Sequence, residues 1–183
     1  MINIGVITGS GFYELPEDCK LQVVKNRFGE VEVAVAKVGP WIVGSIARHL
    51  RGHNHLPHTI PHRANLVALK QLGARAVLAT TLVGAVDPHI PLGQPIVFND
   101  LFFAENRLPN GEPCTIFTEP GDHERGHRVQ SELYAPNLRR KIDLAAKSLG
   151  LEPTVGGIYA HVNGPRFNTK AEINSLAAPG LPR

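Results

Sequence analysis

Cysteine is nearly absent: Cys19 and Cys114 are the only two in 183 residues, too few and too far apart for a disulfide framework or a zinc knuckle. A reducing cytoplasm is the compartment this predicts. Excess charge of one sign is also scarce. The formal net charge of +3 is spread along the chain, and the longest basic cluster is Arg139, Arg140 and Lys141. A nucleic-acid groove needs a basic face with interleaved aromatics, and aromatics make up only 6% here, so no nucleic-acid partner is expected. No apolar run reaches the length of a membrane span, and no charged segment leads into a long apolar stretch at the N-terminus, so no membrane partner is expected either. What the chain has is an ordinary globular composition, 43% hydrophobic, enough to bury a real core in one α/β-sized domain spanning 1–183.

Alternating segments dominate the first quarter. After a short strand from Ile2 to Ile7 come LQVV, EVEVAVAKV and WIVGSIA, separated by the turn signals RFGE and GP. Ala64, Leu66, Val67, Ala68, Leu69 and Leu72 then supply the apolar face of a helix ending at Gly73. ARAVLATTLVGA reads as a strand buried on both faces of a sheet, and QPIVFNDLFF as another. Residues 104–127 form a long polar stretch rich in Pro, Gly and His, of the kind that is functional or mobile. A helix is predicted from Pro136 to Gly150, a strand at TVGGIYAHV and a helix from NTKAEINSLAA. The order implies an α/β fold without internal repeats.

The stretch VITGSGFYEL, residues 6–15, sets a Gly-Ser-Gly turn behind the first strand. Glycines allow a sharp turn and close approach of backbone to a ligand; converging N–H groups and the Ser10 hydroxyl suit an anion. A dinucleotide fingerprint would need glycine where Glu14 stands, and a P-loop would need Gly-Lys-Ser/Thr, which does not occur. Alone, the turn fits a plain strand-ending loop better than a ligand site. ARHLRGHNH, residues 47–55, follows another strand with Arg48, His49, Arg51, His53 and His55. Arginine's planar fork matches phosphate oxygens, and imidazole donates or relays a proton. TTLVGA, residues 80–85, ends a third strand with two hydroxyls and a glycine. Three strand ends bearing anion-compatible groups fit a ligand crevice at the carboxyl edge of an α/β sheet.

The histidines suggest a metal as a rival reading, since His53, His55, His58 and His62 fall within ten residues. Pro57 and Pro61 break any helix aligning His58 with His62, and no Asp or Glu lies between residues 47 and 65, so no metal ligand is assigned. A further alternative is a phosphate or nucleoside binder without catalysis.

GVITGSGFYEL, ARHLRGH, HRANLVALKQLGA, TTLVGAVDPHIPLGQ and GPRFNTKAE, in that order, resemble the signatures of the trimeric purine nucleoside phosphorylases, especially the methylthioadenosine phosphorylase branch. The resemblance implies a mixed, twisted central sheet flanked by helices and a homotrimer. It implies phosphorolysis of a purine nucleoside, 5′-methylthioadenosine before inosine, guanosine or methylthioinosine, with inorganic phosphate as co-substrate and no cofactor. By the same resemblance Ser10, Arg48, His49, Thr81 and the backbone around Leu82 bind phosphate. Phe167 would lie beside the nucleoside, although an aromatic after Gly-Pro-Arg could also be core. His53 would lie near sugar and phosphate, and His127 would reach a neighbouring subunit's ribose site. Two positions depart from the family's pattern, Asn163 and Asn168, where acidic residues are usual in one branch or the other. The family's later Met-Thr turn and its base-recognising Asp or Asn fall beyond residue 183. The expectation is therefore a C-terminally shortened chain that binds phosphate but turns nucleosides over slowly or not at all, with no catalytic acid assigned.

Overall fold

The computed structural model describes residues 1–12, 18–50, 54–122, 129 and 131–177. The chain divides into two compact units, Met1–Val83 and Gly84–Arg183.

Among its described residues the first unit is a five-stranded mixed sheet with one α-helix and a short 3-10 helix at Pro57–Thr59. Its strands are β1 (Ile4–Thr8), β2 (Lys20–Asn26), β3 (Gly29–Val38), β4 (Trp41–Ala47) and β5 (Ala76–Ala79), and its helix is α1 (His62–Gln71). The spatial order is β2-β3-β4-β1-β5. Two tight hairpins make β2, β3 and β4 antiparallel neighbours, whereas β4, β1 and β5 run parallel. Asn26 organises the first hairpin: its side-chain oxygen accepts from the Phe28 N–H at 2.9 Å while its amide donates to the Ala64 carbonyl at 3.0 Å, tying the turn to α1.

Alternation along β2 and β3 points Val24, Val31 and Val33 to one face, where Ala64, Ala68 and Leu69 of α1 meet them together with Ile2 and Ile46. Gly5 and Gly44 stand directly opposite each other in the β1–β4 register on this face. A Cβ on Gly5 would lie 2.7 Å from Leu69 Cδ1, and one on Gly44 would lie 2.6 Å from Ile2 Cδ1. The missing side chains therefore make the hollow that the core residues fill. Helix α1 stops where Gly73 takes φ +98. The Ala74 N–H donates to the Leu69 carbonyl and the Gly73 N–H to the Lys70 carbonyl, both at 3.0 Å, a Schellman stop that turns the chain straight into β5.

Strand β5 is shorter than the apolar run from Ala74 to Ala85 predicts, and it lies at the sheet's edge, with Val77 39% exposed. Apart from Arg75, Thr80 and Thr81 the run is apolar, but among the described residues β1 is the only strand pairing with β5.

The second unit contains β6 (Ile96–Val97), β7 (Asp100–Phe102), α2 (Pro136–Ser148), β8 (Thr154–Val155), β9 (Ile158–Ala160) and α3 (Lys170–Leu176). β6 pairs with β8 and β7 with β9, both in parallel. Each predicted long strand is thus broken in two. Gly156 and Gly157, at φ +110 and +109, turn the backbone away from extended geometry. The Gly156 N–H to Val97 carbonyl bond at 2.9 Å and the Asn99 N–H to Gly157 carbonyl bond at 3.1 Å carry the pairing across the break. An aromatic row follows the second ladder, Phe98 against Tyr159, Tyr159 against His161, and Phe103 edge-on to His161 at 4.5 Å. Part of the polar stretch after residue 104 folds back on itself through an antiparallel bridge of Arg107 with Pro113. Among the described residues no helix is long and apolar enough to cross a membrane.

Candidate functional site

The three parallel strands of the first unit end on one edge, with Thr8 opposite Ala47 and Ile7 opposite Ala79. This register brings three loops together. The Arg48 N–H donates to the Thr8 carbonyl at 3.1 Å and the Thr80 N–H to the Ile7 carbonyl at 3.0 Å, extending the ladders one residue past each strand. After β1 the chain turns sharply: the Phe12 N–H donates to the Gly9 carbonyl at 3.3 Å, the Thr8 hydroxyl to the Phe12 carbonyl at 2.8 Å, and Gly11 takes φ +89. Gly11 is required by conformation, Gly9 by space. A Cβ on Gly9 would stand 2.7 Å from the Thr80 carbonyl oxygen and 2.9 Å from Arg48 Nη2.

Arg48 occupies the centre. Its Nη2 donates to the Thr81 hydroxyl at 2.8 Å and its Nε to Nε2 of His49 at 3.3 Å. His49 is 4% exposed, and its Nδ1 lies 3.0 Å from the His55 carbonyl, while the His55 N–H returns a bond to the His49 carbonyl at 2.9 Å. The Thr81 hydroxyl donates to the Leu82 carbonyl at 3.2 Å, so it is an acceptor toward Arg48. Of the five guanidinium N–H groups, these contacts engage two. The others, with the Gly9–Ser10 backbone alongside, form a cationic donor set suited to an oxyanion.

The five residues expected at an anion site fall on these three loops. Arg48, His49 and Thr81 are linked by hydrogen bonds; Ser10, half-buried, lies on the turn next to Gly9; and Leu82, whose side chain is exposed, is joined to Thr81 through its carbonyl. His53 and His127 lie outside the described residues. Phe167 belongs to the second unit, where its side chain is 98% exposed on the turn preceding α3; it is not a core residue there. Its neighbour Arg166 makes a two-pronged bond to Glu172, with distances of 2.8 and 2.7 Å, and Glu172 closes a capping box with Thr169 at the start of α3. Asn163 donates its amide to Glu105 Oε2 and to the Arg107 carbonyl, fastening the 105–107 segment. Three participants are not evident from the sequence: Gly9 as the space for Arg48, Thr80, whose hydroxyl accepts from the Gly9 N–H at 3.4 Å, and the His55 carbonyl behind His49. The first two have a sequence signal, the paired glycines of the turn and the two hydroxyls that open TTLVGA.

The chain belongs to the phosphorylase superfamily, whose family model matches residues 3–181. Among curated relatives, the 6-oxopurine nucleoside phosphorylase of Pyrococcus furiosus is 36% identical over 186 residues, spanning 98% of this chain and 68% of its own. The S-methyl-5′-thioadenosine phosphorylase of Mycolicibacterium smegmatis is 35% identical over 182 residues, spanning 97% and 65%. Among solved structures, methylthioadenosine phosphorylase from Schistosoma mansoni in complex with adenine superposes with a TM-score of 0.84 at 26% identity, covering 99% of this chain and 72% of that one. The fold is therefore that of the nucleoside phosphorylases, and the family is that of the purine nucleoside and methylthioadenosine phosphorylases, which are pentosyltransferases with phosphate as co-substrate.

Proposed function

We propose that this chain serves a reversible purine nucleoside phosphorolysis, with 5′-methylthioadenosine as the nucleoside. An oxygen of inorganic phosphate bonds to the anomeric carbon as the bond from that carbon to the purine nitrogen breaks. The electron pair leaves with the purine, which takes up a proton, and the sugar leaves as its 1-phosphate. Such a reaction needs its nucleophile held in line by fixed donors. The observation that carries the reading is Arg48, anchored on Thr81 and on His49, at the carboxyl ends of three adjacent parallel strands. Ser10 and Leu82, with His49 contributing from behind Arg48, complete the phosphate set, and Phe167, His53 and His127 serve the nucleoside, His127 from a neighbouring subunit of a homotrimer.

A second reading, a 6-oxopurine nucleoside as substrate, has its own support in the 36% and 33% identity to 6-oxopurine nucleoside phosphorylases named or inferred as such in Pyrococcus furiosus and Thermococcus kodakarensis. Chromatographic assay of base release from methylthioadenosine, methylthioinosine, inosine and guanosine, with and without phosphate, separates the two. The expected result is phosphate-dependent release fastest with methylthioadenosine; faster release from inosine or guanosine selects the second reading. Arg48→Ala should weaken phosphate binding far more than nucleoside binding, by the ~2–4 kcal/mol typical of a lost oxyanion donor. Equal losses for both substrates would reject the assignment of Arg48. Ligand binding with no release from any substrate would leave a binder without catalysis.

A further inference from the structure

The bonds around His49 can each run in only one direction. The His55 carbonyl oxygen can only accept, so Nδ1 of His49, 3.0 Å away, must carry a hydrogen. Arg48 Nε–H can only donate, so Nε2 of His49, 3.3 Å away, must present a lone pair. A neutral imidazole with its proton on Nδ1 satisfies both contacts. Protonation would set a second N–H against the guanidinium and remove the acceptor. The ring is buried, and the clasp between residues 49 and 55 sets its orientation from behind.

From this we infer that the His49 imidazole is a positioning residue: it does not touch phosphate but accepts from Arg48 Nε, and with Thr81 fixes the plane in which Arg48 presents its remaining N–H groups. The inference rests on the phosphate-site reading above. A guanidinium held at Nε and at one Nη nitrogen cannot rotate about its terminal bonds, so its open N–H groups meet an anion without first being ordered. The acceptor of Arg48 Nε is thus as much part of the anion site as a group facing the ligand, although it lies behind the arginine.

Two substitutions separate the two edges of the ring. Gln can place an amide oxygen where Nε2 stands, keeping an acceptor for Arg48 while giving up the bond to the His55 carbonyl. Asn can place an amide N–H where Nδ1 stands, keeping the clasp and losing the acceptor. Titration calorimetry of the 183-residue chain with inorganic phosphate should show His49→Gln within about threefold of the unaltered protein and His49→Asn weaker by about 10- to 100-fold, the range of a charge-assisted hydrogen bond. A residue serving only the loop would give the reverse order, and a ring donating directly to phosphate would make both variants weak; either result overturns the inference.

A second comparison works in an altered background. Arg48→Lys keeps the positive charge but has no Nε–H for His49, so adding His49→Asn to it should cost less than about twofold in phosphate affinity. A further tenfold loss would mean that His49 reaches the anion by itself. If the Asn variants do not fold, nitrogen NMR of the unaltered chain decides, because a ring protonated on Nε2 or on both nitrogens excludes the arrangement. Should Arg48→Ala leave phosphate affinity unchanged, the phosphate-site reading itself fails. Should Arg48→Ala weaken binding while His49→Asn matches the unaltered chain, only the role of His49 fails.

Discussion

At the scale of single residues, Gly9 and Gly11 give the turn after β1 two different requirements, and substitution distinguishes them. Gly9→Ala would push a methyl group into the Thr80 carbonyl and Arg48 Nη2, so it should displace the guanidinium and weaken phosphate binding by about tenfold or more. Gly11 meets nothing within 4 Å, and its constraint is φ +89. Gly11→Ala should therefore cost about 1 kcal/mol of stability through backbone strain with phosphate affinity nearly unchanged. Calorimetry with phosphate beside chemical denaturation checks both; loss of affinity in Gly11→Ala and not in Gly9→Ala would contradict the packing of Arg48 against Gly9. The residue types at this edge were legible in the sequence, because Ser10, Arg48 and Thr81 each follow a recognisable strand. Their mutual bonding was not, since the register that sets Thr8 beside Ala47 and Ile7 beside Ala79 is a long-range property that no local pattern encodes.

At the scale of elements, α3 depends on one carboxylate. Glu172 accepts from the Thr169 N–H at 2.7 Å and from both Nη atoms of Arg166, and the Arg166 bonds, first among the causes, lower its carboxyl from the ordinary 4.5 to about 2. A carboxyl lowered on folding contributes stability that is present above 4.5 and is lost as pH falls from there toward 2. The start of α3 should therefore fray progressively between pH 4.5 and 2, and Glu172→Gln should show that looseness already at pH 7. Amide exchange at residues 170–173 reports both; exchange independent of pH over that window would mean the capping box is not holding the helix. The capping box of Thr169 and Glu172 that fixes the start of this helix is a structural finding, but the helix itself was legible in NTKAEINSLAA. The broken ladders were not, because Pro95 to Phe103 and Thr154 to Val162 are each apolar enough for one strand, and only the pair of left-handed glycines, Gly156 and Gly157, marks the interruption. Similarly, the near-continuous apolar run from Ala74 to Ala85 predicts a long interior strand, whereas pairing to β1 alone ends it at Ala79.

At the scale of the whole molecule, the anion-compatible loops all belong to the first unit, Met1–Val83, and its stability should respond to phosphate. A ligand bound only by the folded state adds about 2.7 kcal/mol at 100 times its dissociation constant. The melting temperature of the 183-residue chain should accordingly rise with phosphate concentration, and Arg48→Ala should flatten that rise. A rise of equal size with chloride at matched ionic strength would point to general screening instead. The α/β class and the mixed sheet followed from the order of segments, but the place of α1 did not: it depends on Gly5 and Gly44, which in the sequence look like ordinary weak points of two strands. Because the space of their missing side chains is filled by Leu69 and Ile2, and Leu69 is fully buried, a Cβ at either glycine forces a neighbour to shift. A change at position 5 is therefore best accommodated with a smaller residue at 69, and a change at position 44 with a smaller one at 2. These positions should therefore vary in nature as two linked pairs.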